Sequence, residues 1–466
     1  MTLLVGLLAL CANRVHNGDL YLELGAGRFI SQHGLVTHDP FPTIAAGREW
    51  LNQQWLSELA FYKVAGLVGM TGLTLRYALG LGLPLSWLLW RCRDKGLGML
   101  ALGAALYFPT ILAIVHPRAA VFTLAAFSGL LVLLLEGWPG GRVAGIRGRR
   151  RLLLAVTIPG LFALWANLHG GFVGGLALLG LVGLGTLLDH PRRARAGWRP
   201  GAWRPGARPL LALGAIGLAA VGATFATPLG PRVWTYVWSF RNPALSVATQ
   251  EWAPAIHSPL IMLYVAVAAI TTGWLWRATP RPRPLTPLVV AVGFLALTVY
   301  SQRNVVLLGP VMVYLIAQCA PERALAAPRR GAVAVVGVAA VAAGAVWAFA
   351  LGPARTAPYL KPRLMDVVLR HPPAGGRIAS VAGVSSYLLW RSSHTPVVVD
   401  GWLEHFRPDE LRGAYGVLHA TPAGLRYIQR WGIRGVITRS PLTVRRLRGD
   451  GFRVVAATSE GTYLSR

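Results

Sequence analysis

The chain has 466 residues, of which 54% are hydrophobic, and it carries a formal net charge of +29 at pH 7. A charge of this size is compatible with nucleic-acid binding, but only 17 residues are acidic and the basic residues gather in joints between apolar stretches. This pattern favours a polytopic membrane protein, since anionic lipid attracts such joints, and no nucleic-acid partner is expected.

Apolar stretches close to the length of a membrane-spanning helix follow one another along most of the chain. A helix needs about 20 apolar residues to cross the hydrocarbon core. The predicted spans lie near 71–90, 96–115, 119–136, 152–167, 172–188, 209–227, 259–276, 285–300, 305–320 and 331–351. Together with an N-terminal crossing, they predict a mainly α fold, a bundle of about 10–11 spans within a transmembrane domain over residues 1–352.

The N-terminal segment 1–13 is apolar but short for a full crossing at 1.5 Å per residue. It has no basic leading region and no small-residue cleavage site, so a signal peptide is not expected. Because the topology requires a crossing here, we expect either a shortened gene start or a helix that crosses only partly. The cysteines Cys11, Cys92 and Cys319 have neither metal nor disulfide spacing and are interpreted as packing residues.

The distribution of arginine predicts the orientation of the bundle. Basic residues cluster in every second gap between spans, and such loops stay in the cytoplasm. The basic joints are 91–95, 142–151, 192–208, 277–283 and 323–330. The protein is therefore predicted to be a multi-pass protein of the cytoplasmic (inner) membrane. Its first outer loop, at about 14–70, and its C-terminal segment 353–466 are predicted to lie outside the cytoplasm.

The C-terminal segment differs in character from the rest. Short apolar runs that predict buried strands alternate with helical patterns that begin at Pro or Thr-Pro. The predicted strands are 378–381, 396–399, 436–438 and 453–456, and the predicted helices are 384–391, 408–419, 423–431 and 441–449. This alternation predicts a C-terminal extracytoplasmic α/β domain that packs on the outer loops.

The first outer loop is unusually acidic. It carries Asp19, Glu23, Asp39, Glu49 and Glu58, which is five of the 17 acidic residues in the chain. Such a concentration beside a membrane indicates work on a proton or a cation. The structural alternative is that Asp19 caps a helix, Asp39 begins a turn, and Glu49 and Glu58 form the solvated face of a helix over 49–66.

The other outer gaps add polar residues at the same membrane level. His116 lies in one gap, Asn167 and His169 in the next, Glu251 in a longer loop, and Arg303 with Asn304 in the last short turn. Polar groups at the same end of several helices line a cavity more often than they face lipid. Arg303 is the best candidate for an anion partner, because a guanidinium group pairs with phosphate in a bidentate way.

Several short motifs, taken in order, resemble a known class of membrane enzyme. An aspartate after the first membrane segment, D-P-F, W-x-x-x-x-W-L-x-E, W-x-N-x-H-G-G and a late Q-R-N resemble bacterial GT-C glycosyltransferases. The pattern is similar to protein O-mannosyltransferases and lipid A aminoarabinose transferases. It covers residues 14–60 well and 160–310 more loosely. Relatives often have a second acidic residue directly after the first aspartate, where this chain has Leu20.

The resemblance implies a glycosyltransferase that takes a sugar from a polyprenyl-phosphate carrier outside the cytoplasm. Asp19 would be the catalytic base, with Asp39 folded back beside it as a second carboxylate, and Arg303 with His169 or His116 would face the leaving phosphate. The substrate-binding candidates are His38, Glu49, Trp50, Trp55, Glu58, His116, Asn167, His169, Glu251, Arg303 and Asn304. The expected partners are a polyprenyl-phosphate sugar, membrane lipid, and a glycan, lipid or protein acceptor that the residues do not identify.

Two other functions fit parts of the sequence. A transporter or lipid flippase would carry ionisable residues deep within its spans. A non-catalytic membrane assembly or binding protein would use the C-terminal domain as its working part, so that changes at Asp19 would have no effect. No nucleotide or metalloprotease motif is evident and no cofactor is expected, although the residues leave a divalent metal open.

Overall fold

A computed structural model describes residues 15–137, 149–195, 207–239, 250–322, 355–356 and 362–466. The N-terminal segment 1–13 and the predicted span 331–351 lie outside the described residues. The helices described before residue 323 are α1 (Gly18–His33), α2 (Trp55–Arg91), α3 (Leu97–Ala113), α4 (Ala120–Gly137), α5 (Arg149–Leu168), α6 (Phe172–Arg195), α7 (Ala207–Ala223), α8 (Val233–Ser239), α9 (Pro259–Ala278), α10 (Thr286–Tyr300) and α11 (Val305–Cys319).

Each predicted span from 71–90 to 305–320 coincides with a helix of this set, in the order α2 to α7 and then α9 to α11. Three of these helices are long and apolar enough to cross a membrane by length and composition: α2, the Phe172–Asp189 part of α6, and α9. The remaining helices of the bundle are apolar but shorter. The short helix α8 lies in the longer loop between α7 and α9 and belongs to no predicted span.

The long helix α2 consists of two segments. Gly69 has φ 68° and ψ 176°, which breaks the helix before the predicted span at 71–90. Glycine adopts this left-handed conformation without the steric cost of a Cβ atom. The segment before Gly69 therefore belongs to the first outer loop, and the segment after it joins the bundle.

Helix α11 is the centre of the bundle. Most of its residues are buried, and it packs against α3, α10 and α4. Arg303 lies in the short 3₁₀ turn Gln302–Asn304 immediately before α11. The buried helix thus fixes the position of this arginine at the end of the bundle.

Helix α1 connects the bundle to the C-terminal domain. It packs against α2 on one side and against α13 (Ala382–Arg391) on the other. A Cβ atom on Gly18 would lie only 2.2 Å from the Cα atom of Gly383, so the close approach requires glycine at this position. This contact places the start of α1, including Asp19, directly beside the C-terminal domain.

The C-terminal domain contains a small mixed sheet. Its helices are α12 (Pro362–Arg370), α13, α14 (Pro408–Leu418), α15 (Pro422–Arg430) and α16 (Pro441–Gly449). The two-residue strands β1 (Val15–His16) and β2 (Arg355–Thr356) pair with each other, and the sheet consists of β3 (Arg377–Ala379), β4 (Ile433–Thr438), β5 (Arg453–Thr458) and β6 (Gly461–Ser465). The strand order is β3-β4-β6-β5, with β3 and β4 parallel and the other pairs antiparallel.

One predicted strand of this domain is wrong, and two elements were not predicted. Residues 396–399 form only a bridge, between Ile378 and Val397, because their backbone hydrogen bonds are divided between two partners. The Val398 N–H donates to Ile378 O of β3, whereas the Val397 N–H donates to Pro42 O of the first outer loop. The helix α12 and the strand β6 fell in stretches that were not predicted to be regular.

The first outer loop and the C-terminal domain form one packed unit. Arg48 donates two hydrogen bonds to the carboxylate of Glu410, at 2.6 and 2.8 Å. The rings of Trp50 and Trp402 meet edge to face at 6.1 Å. The C-terminal domain therefore makes direct contacts with the segment that was predicted to be the first outer loop.

Candidate active site

A cavity of about 530 Å³ lies where α1, the helix-end loops and the C-terminal domain meet. Half of the residues that line it are charged or polar. The charged and polar residues that line it are Asp19, Glu23, Gln54, Arg118, His169, Tyr236, Glu251, Arg303, Glu404 and Arg439. Helix α1, several helix-end loops and the C-terminal domain thus contribute to one cavity at the end of the bundle.

Asp19 and Arg118 form the first cluster in the cavity. Asp19 lies in the first turn of α1, and its Oδ2 is 3.7 Å from Nη1 of Arg118. The same Nη1 donates to Oε1 of Glu251 at 2.6 Å. Burial alone would raise the pKa of Glu251, but the charge and hydrogen bond of Arg118 outweigh it and lower that pKa. Arg118 therefore joins the first outer loop to the loop before α9.

Arg303 and His169 form the second cluster. Nη2 of Arg303 lies 3.2 Å from Nε2 of His169, and its guanidinium carbon lies 4.4 Å from the centre of the Trp252 ring. Burial, with the charges of Arg303 and Arg118, holds the pKa of His169 well below its usual range. His169 is thus neutral, and the charge of this cluster resides on Arg303.

Glu23 is a third ionisable group in the cavity. It lies one helical turn after Asp19 and is only 3% exposed. Its Oε1 accepts the Ala119 N–H at 2.7 Å. Burial raises the pKa of this carboxyl to about 8, even though the Ala119 N–H lowers it, and the neighbouring Asp19 raises it further. Glu23 is therefore mainly protonated at neutral pH.

The C-terminal domain closes one side of the cavity. Val381, Ala382 and Gly383 at the start of α13 and Gly401 to Glu404 line this wall. Burial raises the pKa of Glu404 to about 7, and the charge of Arg303 acts against this rise. Glu404 can therefore change its charge near neutral pH and alter the field in the cavity.

Four of the predicted site residues line the cavity: Asp19, His169, Glu251 and Arg303. They come from parts of the chain up to 284 residues apart, from position 19 to position 303. The structure therefore brings these four predicted residues into one cavity.

Asp39 is not among the described residues that line this cavity. It is 5% exposed and accepts the Phe41 N–H at 2.9 Å, in a turn that packs near Asp400 of the C-terminal domain. Burial raises the pKa of Asp39 to about 6. The structure therefore does not bring Asp39 beside Asp19; the carboxyl groups that it places near Asp19 are those of Glu23 and, across Arg118, Glu251.

Three further candidates in the second half of the loop make contacts within the protein. Trp50 is 2% exposed and packs on Trp402, so it does not face lipid. Glu58 is fully buried and accepts from Nδ2 of Asn52 at 2.7 Å, which excludes a solvated face. Glu49 is exposed and forms an ion pair with Arg232. The predicted helix over 49–66 begins only at Trp55, so Glu49 and Trp50 precede it.

The remaining candidates are also not among the described residues that line the cavity. The Trp55 Nε1–H donates to Oδ1 of Asn167 at 2.8 Å, and Nδ2 of Asn167 donates to two carbonyl groups. Nδ2 of Asn304 donates to Leu297 O at 2.8 Å. His38 is exposed, and its Nδ1 lies 3.0 Å from Oγ1 of Thr37, while His116 is half-buried. These hydrogen bonds of Trp55, Asn167 and Asn304 thus connect the ends of helices.

The structure also adds cavity residues that were not predicted as site residues. Arg118 and Glu23 were visible in the sequence, the first beside His116 and the second in the acidic loop. Glu404 and Arg439 could not be found in this way, because they depend on how the C-terminal domain docks. Among the described residues, no group of three or more His, Cys, Asp or Glu side chains is placed to hold a metal ion.

Neither a protein-family model nor a curated protein sequence matches this chain. Solved structures do resemble its fold. ArnT from Cupriavidus metallidurans with bound undecaprenyl phosphate aligns over 100% of this chain and 96% of that chain, with 17% identity and a TM-score of 0.55. Apo ArnT aligns over 98% and 95%, with 16% identity and a TM-score of 0.53.

The arabinofuranosyltransferase AftD from Mycobacteria is similar as well, with 17% identity and a TM-score of 0.52. The match covers 98% of this chain but only 39% of AftD. The chain therefore has a fold similar to that of ArnT and of part of AftD. In this chain a helical bundle is followed by a C-terminal domain with a small mixed sheet.

Proposed function

We propose that the protein is a membrane glycosyltransferase that moves a sugar from a polyprenyl-phosphate donor to an acceptor hydroxyl with inversion at the anomeric carbon. The observation that carries this proposal is the meeting of Asp19 with two arginines, Arg118 and Arg303, in one cavity of about 530 Å³. A carboxylate suits the acceptor proton, and guanidinium groups suit a phosphate. The GT-C-like fold supports the same reaction class.

Asp19 would act as the general base. Its side chain is 48% exposed, and among the described residues both of its side-chain contacts, with Arg118 and with Asn17 Nδ2, use Oδ2. Oδ1 is therefore the oxygen that can accept a hydroxyl proton. The acceptor oxygen then bonds to the anomeric carbon, while the bond from that carbon to the phosphate oxygen breaks and its electron pair leaves with the phosphate.

Arg303 would stabilise the charge that develops on the leaving phosphate. Its Nη2 lies 3.2 Å from Nε2 of the neutral His169, and its guanidinium carbon lies 4.4 Å from the centre of the Trp252 ring. Preorganised charges in a site that excludes water stabilise a developing charge more strongly than charges in solvent. Arg118 would add a second guanidinium, although part of its charge is balanced by Glu251.

The location follows from the same arrangement. The phosphate of a polyprenyl carrier lies at the membrane surface, and the cavity lies at the end of the bundle under the C-terminal domain. We propose that this end faces outward from the cytoplasmic membrane, in accord with the arginine distribution. The acceptor would then be a hydroxyl-bearing glycan, lipid or protein of the cell envelope.

The test is donor consumption by the full chain in membranes. Undecaprenyl-phosphate-linked hexoses and pentoses are supplied as a panel, and released undecaprenyl phosphate is measured. Removal of a positioned base typically lowers a rate by about 10²–10⁴-fold, so Asp19→Asn should lower release by this factor. The protein should stay folded, because Asp19 is half-exposed and Asn is close to it in shape.

Asp366→Asn is the matched control. Asp366 is also partly exposed and also pairs with an arginine, Arg391 at 2.8 Å, but it lies on α12 and not among the cavity-lining residues. Asp366→Asn should release undecaprenyl phosphate at the same rate as the unaltered protein. Full release by Asp19→Asn would exclude Asp19 as the base. Movement of the lipid across the bilayer without release would support a flippase and contradict the proposal.

A further inference from the structure

Glu23 is a buried cavity residue to which the transfer steps above assign no role. It lies on the same face of α1 as Asp19, at the i+4 position. Its Oε1 accepts the Ala119 N–H, whereas the buried Oε2 has no hydrogen-bond partner among the described residues. Glu23 is one of the residues that line the cavity. One of its carboxyl oxygens is thus bound within the protein, whereas the other has no partner among the described residues.

The protonation state of Glu23 determines what this second oxygen can do. Burial raises the pKa of the carboxyl to about 8, the Ala119 N–H and Arg118 lower it, and Asp19 raises it. At neutral pH Oε2 therefore carries the proton, since Oε1 already accepts a hydrogen bond. A buried O–H without an acceptor is unfavourable, and a ligand oxygen that accepts a hydrogen bond from it removes this cost.

We propose that Glu23 is a substrate-binding residue whose protonated carboxyl donates a hydrogen bond from Oε2 to a phosphate oxygen of the lipid carrier. This proposal rests on the proposed function and deepens it. Hydrogen bonds to an ionised oxygen are roughly twice as strong as neutral ones, so phosphate is favoured over a sugar hydroxyl. The backbone also favours phosphate, because Ala119, which holds Oε1, directly follows Arg118.

A pH dependence of binding follows. The charged and titratable groups near Glu23 are Asp19 on α1, Arg118 and Glu251 in the loops, Glu58 and Tyr77 on α2, and Tyr236 on α8. Below pH 8 the neutral carboxyl donates to the phosphate. Above pH 8 it ionises, loses the donor and places a negative charge against the phosphate. Affinity for a lipid phosphate should therefore fall as the pH rises through about 8.

The experiment compares Glu23→Gln with Glu23→Ala. A glutamine keeps both functions at every pH, because its carbonyl accepts the Ala119 N–H and its amide donates to the ligand. Binding of undecaprenyl phosphate to the full chain in zwitterionic nanodiscs is measured from pH 7.0 to 9.5, where a phosphate monoester is already doubly ionised. The second ionisation of such a phosphate lies near pH 6.

The unaltered protein should lose about tenfold in affinity across this range, as expected when a charge-assisted hydrogen bond is lost. Glu23→Gln should keep the affinity of the unaltered protein at pH 7 and show no dependence on pH. Glu23→Ala should bind about tenfold more weakly at pH 7. Thermal unfolding of both variants, measured in parallel, identifies any loss of affinity that comes from misfolding.

Two results would overturn the role of Glu23 alone. Normal binding by Glu23→Ala would mean that the carboxyl only holds the Ala119 N–H. A Glu23→Gln variant that folds but binds as weakly as Glu23→Ala would mean that an O–H donor is not what the phosphate needs. Both results leave the proposed function intact, provided that Asp19→Asn still abolishes transfer. No binding by the unaltered protein would overturn both proposals.

Discussion

The two halves of the first outer loop have similar acidic side chains but opposite surroundings. In the first half, residues 17–33, Asp19 and Glu23 line the cavity. In the second half, residues 38–58, Asp39 and Glu58 are buried against donors of the protein itself. The first half faces the proposed chemistry, and the second half holds the C-terminal domain over it.

This difference shows that the number of carboxylates in a segment does not locate a site. Five acidic residues fall in the loop, but only Asp19 and Glu23 are among the described residues that line the cavity. What separates them from the others is their position, since Glu58 also has a buried oxygen, Oε1, without a partner among the described residues but is not among those that line the cavity. A carboxylate that is satisfied within the protein stabilises the fold, whereas one with an oxygen left over in a cavity can serve a ligand.

In the second half of the loop, the largest expected effect is that of replacing Asp39 on the free energy of unfolding. Burial raises the pKa of Asp39 from 3.8 to about 6, so folding disfavours its ionised form. The contribution of Asp39 to stability is therefore least unfavourable below pH 3.8, becomes more unfavourable as the pH rises toward about 6, and stays so above it. Asp39→Asn removes this penalty and should raise the free energy of unfolding at pH 7.5 by up to about 3 kcal/mol.

The measurement is thermal unfolding of Asp39→Asn and the unaltered protein in detergent, at pH 4 and at pH 7.5. The gain in the free energy of unfolding of Asp39→Asn should be present at pH 7.5 and absent at pH 4, where the Asp39 carboxyl of the folded unaltered protein is already neutral. Sugar transfer by Asp39→Asn should stay within about threefold of the unaltered protein, since an asparagine can still accept the Phe41 N–H. A loss as large as that of Asp19→Asn would make Asp39 catalytic and abolish the distinction between the two halves.

A smaller effect is expected at the ion pair that joins the second half to the C-terminal domain. Arg48 donates two hydrogen bonds to the carboxylate of Glu410, which is 4% exposed. Glu410 keeps Arg407 as a second partner when Arg48 is lost. Arg48→Ala should therefore lower the free energy of unfolding by only about 1–2 kcal/mol, below the full value of a charged hydrogen bond.

Limited proteolysis of the C-terminal domain checks this prediction, because looser docking exposes the segments between its helices. Arg412→Ala is the matched control, because Arg412 is an exposed arginine on α14, the helix that carries Glu410. Cleavage should be faster in Arg48→Ala and unchanged in Arg412→Ala. Equal rates in both variants would show that the second half of the loop does not hold the domain through this pair.

Much of the fold could be predicted from the sequence, because apolar length and arginine clusters are local properties. Nine predicted spans coincide with helices of the bundle, and helices α13 to α16 begin within two residues of their predicted starts. The prediction of a strand at 396–399 was wrong for a non-local reason, since one backbone partner of this segment is Pro42 in the first outer loop. Local patterns do not contain such a partner.

The site was predictable only in part. Four of the predicted residues belong to the sequence motifs or lie at helix ends, and each of them lines the cavity: Asp19, His169, Glu251 and Arg303. The pairing of Asp19 with Asp39 was not found, because the turn after α1 directs Asp39 into the contact with the C-terminal domain. Arg118 was visible as an outer arginine, but its bridge between Asp19 and Glu251 depends on the packing of three separate loops.

The most direct test of the account is a structure of the full chain with undecaprenyl phosphate bound. The account predicts phosphate density inside the cavity, within hydrogen-bond distance of Arg303 and Arg118, with the isoprenoid chain leading into the bilayer. Asp19 should lie beside it with Oδ1 free for an acceptor. Phosphate density at the arginine-rich joints on the opposite side of the bundle, with an empty cavity, would contradict the central claim.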